Sequence, residues 1–113
     1  MNLSKRQLND MDDFQINMTL ANIIGLKVSK SQFINIDCRG SGVLFGVGHV
    51  FDFNNPNSII PLQFKYDIGI SRWFERSTKK WVAECQVSFI HENPLRAISC
   101  CLILLLQNGV GDE

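Results

Sequence analysis

Asn93-Pro94-Leu95-Arg96-Ala97-Ile98-Ser99-Cys100-Cys101-Leu102-Ile103-Leu104-Leu105-Leu106-Gln107 is the run whose reading decides the fold. Asn93 is a strong N-cap, because its side-chain oxygen can accept an orphaned helical N–H, and Pro94 suits the first helical position, where no N–H is required. Beyond these two the run is apolar on almost its whole circumference, and a helix of that kind must be covered on most of its circumference. Crossing a bilayer takes about 20 apolar residues. This run carries Arg96 near its start and soon meets Gln107-Asn108-Gly109, so a buried core helix is expected rather than a membrane span. Asn108-Gly109 reads as the helix exit and residues 108–113 as a frayed tail.

The chain has 113 residues, 45% of them hydrophobic, which fits one domain, residues 1–113, with a real core. Eleven basic side chains balance eleven acidic ones. No global field draws the chain to nucleic acid or to an anionic membrane, and any such attraction must come from a local patch. Met1 to Gln7 shows no apolar run after its charges, so no secretory signal is expected. Cys38, Cys85, Cys100 and Cys101 form no C-x-x-C pair. Cys100 and Cys101, neighbours on a helix, point about 100° apart and suit neither a mutual disulfide nor a shared metal. Reduced thiols in a cytosolic protein are the expectation.

Upstream, residues 1–9 read as a flexible polar lead-in. Asp10 or Asp12 opens a helix to about Ile24, closed by Gly25. Phe14, Met18, Leu20, Ala21 and Ile24 share one face. Asn17 falls inside that arc, and a buried amide must find partners, so Asn17 is expected to tie the helix to a neighbouring backbone segment. After Gly25 the period shortens. Leu26 to Val28 and Phe33 to Ile36 read as short strands, Cys38 to Gly42 as a turn, and Val43 to Phe53 as an extended piece interrupted by Gly46 and Gly48. No Gly-Lys-Ser/Thr follows, so these glycines are read as turn and bulge residues rather than a phosphate loop.

Asn54-Asn55-Pro56-Asn57 is a dense turn signal. With Ser58 as cap, a helix runs from Ile59 to about Asp67, and Pro61 falls harmlessly in its first turn. Ile70 to Arg76 and Lys80 to Ile90 read as an antiparallel hairpin around Ser77-Thr78-Lys79. The second strand alternates, with Trp81, Ala83, Cys85, Val87 and Phe89 on the buried face. The pattern is α+β: a mainly antiparallel sheet of about four to five strands packed with three helices in a helix/sheet/helix sandwich. The C-terminal helix is largely buried, between the sheet and another helix or at a subunit interface.

Asn54-Asn55-Pro56 with Pro61, and Glu92-Asn93-Pro94-Leu95-Arg96-Ala97 before an aliphatic helix, resemble the NinX-like proteins of lambdoid phages and prophages. Asp13-Phe14-Gln15-Ile16-Asn17 with Ala21 and Gly25 is similar too, and the likeness extends from about Met11 to Gln107. Ile60 stands where that family has an aromatic, and Gln15 where it has a glutamate. The resemblance implies an accessory protein of unknown biochemical function in bacterial cytoplasm and a helix-flanked sheet. It implies no active site.

No catalytic constellation is legible. His49 and His91 are the only histidines, and no motif sets either beside a thiol with a third orienting group. Cys38, His49, Cys85 and His91 are scattered singly, whereas zinc ligands pair at short spacing. No metal, no cofactor and no enzymatic activity are expected. Arg72-Trp73-Phe74-Glu75-Arg76-Ser77-Thr78-Lys79-Lys80-Trp81 packs four cations and three aromatics into ten residues. Aromatic faces stack on bases and cations hold phosphates, so Arg72, Trp73, Arg76, Lys79 and Lys80 are candidate contacts to a partner or to single-stranded nucleic acid. A solvated hairpin edge, its lysines blocking strand-to-strand aggregation, explains the same residues more simply. Arg96 lies in the first turn of its helix, the positive dipole end. A structural ion pair with Glu92, Asp67 or Asp52, or hydrogen bonds to the carbonyls of the Asn54-Asn55-Pro56 turn, is expected ahead of capture of a ligand anion. The favoured functional reading is non-catalytic binding of a host or phage protein; nucleic-acid binding by the hairpin comes next, and a small enzyme last. A homodimer that covers the C-terminal helix is a further expectation.

Overall fold

The computed structural model describes residues 3–26, 43–45, 49–75 and 78–107, and for residues 43–45, 49–50, 74–75 and 78 the path of the backbone. Regular structure begins earlier than expected. Ser4 caps α1 (Lys5–Asp10): its Oγ accepts the Gln7 N–H at 3.1 Å while Gln7 Oε1 accepts the Ser4 N–H at 2.8 Å. This reciprocal box satisfies two orphan donors and lets a six-residue helix form. The polar lead-in of residues 1–9 is therefore corrected to a helix that buries Leu8 completely. Among the described residues four helices, not three, accompany the sheet.

Asp12 caps α2 (Asp13–Ile23) by the same device with Gln15. Gly25, at φ +88°, closes it as Leu26 N–H reaches back to the Ala21 carbonyl. The fully buried residues are Ile16, Asn17, Leu20 and Ala21, so the arc centres on Asn17; Phe14 and Met18 are half-buried at its margins. Asn17 Oδ1 accepts the Phe53 N–H at 2.8 Å and its Nδ2 donates to Asp52 Oδ1 at 3.0 Å. Residues 27–42, with the strand expected at Phe33–Ile36, all but Leu26 of the one expected at Leu26–Val28, the Cys38–Gly42 turn and Cys38 itself, lie outside the described residues, as do Gly46, Gly48 and the 108–113 tail.

The extended piece expected at 43–53 is instead a hairpin. β1 (Val43–Phe45) and β2 (His49–Phe51) pair antiparallel, Val43 against Phe51. Asn55, not Ser58, caps α3 (Pro56–Lys65), its Oδ1 accepting the Asn57 N–H at 3.0 Å. With Pro56 as the first helical residue, Pro61 falls in the second turn and withholds a bond from the exposed Asn57 carbonyl, which water can satisfy. Asp67, at φ +55°, takes the left-handed position after α3. The Ile68 N–H then bonds to the Gln63 carbonyl and the Asp67 N–H to that of Phe64.

β3 (Gly69–Glu75), β4 (Thr78–Glu84) and β5 (Ser88–His91) form a three-stranded antiparallel sheet in that order. The expected Lys80–Ile90 strand is thus two strands, broken where the Cys85 N–H meets the Val87 carbonyl at 2.9 Å. Pairing of Ala83 with Phe89 and Trp81 with His91 keeps odd-numbered residues on one face across the turn, which is why the alternation runs on uninterrupted. That face meets α4 (Pro94–Gln107), in which every residue from Arg96 to Leu106 is buried. α4 packs on β4 and β5 on one side and on α2, α3 and α1 elsewhere. The layers therefore run sheet, α4, outer helices, in place of helix, sheet, helix. No helix among the described residues is long and apolar enough to cross a membrane.

The left-handed Asp67 gives a direct test of local strain. An L-residue there costs about 1 kcal/mol or more relative to glycine. Asp67→Gly is expected to raise stability by about 0.5–1 kcal/mol, measured as a higher urea midpoint at unchanged m-value.

Candidate interaction surface

Residues far apart in the chain form one polar cluster at the starts of α2, α3 and α4. Asn93 Oδ1 accepts the Leu95 N–H at 2.9 Å, and its Nδ2 donates to Asn54 Oδ1 at 3.2 Å. Asn54 Nδ2 donates to Asp13 Oδ2 at 3.1 Å. Arg96 Nη1 pairs with Asp13 Oδ1 at 2.7 Å. Its Nη2 donates to the carbonyls of Leu8, at 3.0 Å, and Met11. The partners named from the sequence, Glu92, Asp67, Asp52 and the Asn54-Asn55-Pro56 carbonyls, are replaced by Asp13 and the exit of α1. That geometry also answers the dipole objection, since the guanidinium sits on the carbonyls that end another helix, where a cation is favoured. Asn55 and Pro56 stay local, as the cap and first residue of α3. Pro94 does the same for α4.

Arg96 is buried, and its role is to pin α1 and α2 to α4. Arg96→Ala is expected to destabilise by about 2–4 kcal/mol by denaturant titration. It strands two carbonyls and a carboxylate, and the half-exposed Asp13 keeps the figure below that of a fully buried pair. Arg96→Lys recovers only part of the loss, because an ammonium cannot fork to three acceptors.

The thiols and imidazoles do not assemble into a nucleophilic centre among the described residues. Cys85 and Cys101 meet between sheet and helix with sulfurs 3.7 Å apart, a juxtaposition that the sequence spacing hides, and both are free. Burial pushes the Cys100 thiol up to about 12 and also raises Cys101. Both are protonated at neutral pH and unfit as nucleophiles. No three His, Cys, Asp or Glu side chains among the described residues stand close enough to hold a metal.

His91 ends β5, where its Nδ1 accepts the Asn93 N–H at 2.9 Å. Burial, then Arg96, holds its pKa below the ordinary 6.5; Lys80 adds to the effect, while Glu92 and Asp13 oppose it. With the folded pKa below the unfolded one, the stability supplied by the neutral ring is complete above the unfolded value and is lost as pH falls toward the folded one. Lowering the pH from about 7.5 to about 5.5 should therefore reduce the urea midpoint. His91→Asn should flatten that dependence, because an asparagine oxygen can accept the same N–H without titrating.

The hairpin residues divide between the two faces of the sheet. Arg72 and Trp81 are directly opposed on the α4-facing side, the guanidinium 5.0 Å from the ring centroid, and Trp81 is half-buried there. Trp73 and Lys80 are opposed on the other side. Lys79 is exposed on the same side as Trp81, and Arg76 lies outside the described residues. The face turned away from α4 carries Ser71, Trp73, Lys80, Val82, Glu84, Ser88 and Ile90. Trp73 is 40% exposed and Ile90 39%, so this face is open. Phe64 on α3, 78% exposed, stands on a separate element.

A cleft of about 670 Å³ opens beside β5, between that strand and α1. Lys5, Arg6 and Asn9 reach it from α1, and Lys80 and Ser88 from the sheet. Sequence reasoning missed Lys5 and Arg6 entirely. The signal that would have found them is Ser4-x-x-Gln7, which makes the lead-in a helix and gives its charges a fixed direction. Fold and surface together define a small α+β domain: a three-stranded antiparallel sheet with one face closed by helices and the other open. No family model, no curated protein and no solved structure matches the chain.

Proposed function

We propose that the protein acts without catalysis, by binding another protein through the open face of the three-stranded sheet. The observation that carries this reading is the exposure of Trp73 and Ile90 on one side of a sheet whose other side packs Ile70, Ala83 and Phe89 into the core. Around them lie Val82, two serines, one lysine and one glutamate. An aromatic and aliphatic centre with a polar rim of both signs is the composition of a protein interface. The partner is a host or phage protein in bacterial cytoplasm, a setting supplied by the NinX-like motifs, and the outcome is modulation of a host or phage system such as replication, transcription or defence.

Binding of single-stranded nucleic acid is the second reading, favoured by Lys80 directly opposite Trp73. It ranks behind because alternation splits the hairpin. Arg72 and Lys79 share the opposite side with Trp81, so cations and aromatics do not line one continuous track.

The test compares wild type with Trp73→Ala/Ile90→Thr as bait in a nuclease-treated bacterial lysate. The double variant keeps the fold, with stability within about 1 kcal/mol of wild type. Wild type is expected to retain a specific protein, with affinity falling at least about thirtyfold in the double variant, as for loss of an aromatic anchor. Identical capture by both baits refutes the reading, and loss of all capture on nuclease treatment transfers it to nucleic acid. Self-association that disappears in the variant, seen by sedimentation, makes the partner a second copy.

A further inference from the structure

The cleft between α1 and β5 borders the open sheet face, with which it shares Lys80, Ser88 and Ile90, and its charge is unlike the rest of the chain. Lys5 and Arg6 are exposed on α1, and Lys80 comes from the middle strand of the sheet. Three cations from two elements, more than seventy positions apart in the chain, thus line one concavity in a protein whose formal net charge is zero. Glu92 is the only carboxylate among the described lining residues. The buried ion pair of Arg96 with Asp13 involves none of the three. None of Lys5, Arg6 and Lys80 is neutralised by a described carboxylate within 4.0 Å. Lys5 Nζ instead reaches Ser88 Oγ at 3.5 Å.

The cations are also held in place. Gln107 accepts the Leu3 N–H at 2.9 Å and donates to the Leu3 carbonyl at 2.7 Å, while Arg96 grips the carbonyls at the other end of α1. A six-residue helix tied at both ends presents its charges without having to order them on binding, which lowers the entropic cost of taking up a ligand.

We propose that this cleft binds a small phosphomonoester of about nucleotide size, its phosphate held by Lys5, Arg6 and Lys80. The lining carries three positive charges and one negative, a balance of two that matches a phosphate dianion. A guanidinium fork and two ammonium groups suit a tetrahedral group with several acceptor oxygens better than a planar carboxylate. The volume lies within the range of about 300–1,000 Å³ typical of small-ligand sites, well beyond what phosphate alone needs. Ile90 and the imidazole of His91 offer the remaining body an apolar seat, and Asn9 and Ser88 offer it hydrogen bonds.

The experiment is an NMR titration of the full ¹⁵N-labelled chain at fixed ionic strength. The probes are thymidine 5′-monophosphate, inorganic phosphate, acetate and an oligothymidylate, and Lys5→Gln/Arg6→Gln and Lys80→Gln are titrated in parallel. Lys5 and Arg6 are exposed, so their replacement leaves the fold intact, as the unperturbed amides of α4 will report. The expected result is saturable shifts of the Arg6, Ser88 and His91 amides with the monophosphate, weaker ones with inorganic phosphate, and at least tenfold weaker binding in each variant. Three outcomes overturn the proposal: no saturable shift with any phosphate, acetate binding as well as phosphate, or equal binding by wild type and variants. An oligonucleotide that binds tenfold better than the monophosphate overturns the small-molecule assignment and makes the cleft a seat for a nucleic-acid strand. Protein capture by the open sheet face is unaffected by Lys5→Gln/Arg6→Gln, so the two proposals fail separately.

Discussion

A helix with no polar side has nowhere to face water, and that constraint governs the whole molecule. Eleven consecutive buried residues in α4 demand a wall in every direction. The sheet supplies one, α2 a second, and α3 and α1 the rest. Each wall spends its own apolar residues on this contact: Ile16, Leu20 and Ala21 from α2, Ile59 from α3, Leu8 from α1, Ala83 and Phe89 from the sheet. Burial of a leucine- or isoleucine-sized side chain contributes about 1.5–3 kcal/mol, so a core gathered on one helix outweighs any single polar contact around it. The helix is covered within one chain and needs no second copy for that purpose.

Polar groups then fix which arrangement of walls is adopted. Hydrophobic contact alone would let α1 and α2 slide along α4, since dispersion and burial are not directional. Arg96 removes that freedom by choosing three acceptors, and Asn17 and Asn93 do the same for the segment from Asp52 to Asn54. A buried polar group that loses its partner is penalised far more than a made hydrogen bond is rewarded. Slipped packings are thereby excluded more than the native one is strengthened.

What was legible in the sequence follows this division. Covering α4 is a property of composition along one segment, so its burial and the α+β class could be read directly. Asn17, Asn93 and Arg96 could be singled out as polar residues in apolar or dipole-opposed positions, but their partners lie about 35 to 85 positions away and no local pattern names them. The β4–β5 turn was hidden for a geometric reason: strands paired symmetrically about Gln86 preserve odd–even alternation, so the signal used to find one strand persists through two. α1 was hidden by its charge. One buried leucine among six residues gives no periodicity, and only the cap at Ser4 betrays the helix. The cleft was invisible in turn, because it exists only once α1 is placed beside β5.

The same constraint separates folding residues from binding residues. Alternation gives a strand two faces, and α4 packs against one of them, so an aromatic on the other face does nothing for the core. Trp73 and Ile90 occupy that other face, where serine or threonine would hold the strands as well without exposing apolar surface to aggregation. α1 repeats the logic at smaller scale, with Leu8 turned inward and Lys5 and Arg6 outward, on a helix clamped by Gln107 and Arg96 from the same α4. Both surfaces are therefore backed by a helix that is buried from Arg96 to Leu106. Substitutions on them can alter recognition while leaving the packing intact, whereas substitutions in the Arg96 cluster loosen α1 first and disturb the cleft before the open sheet face.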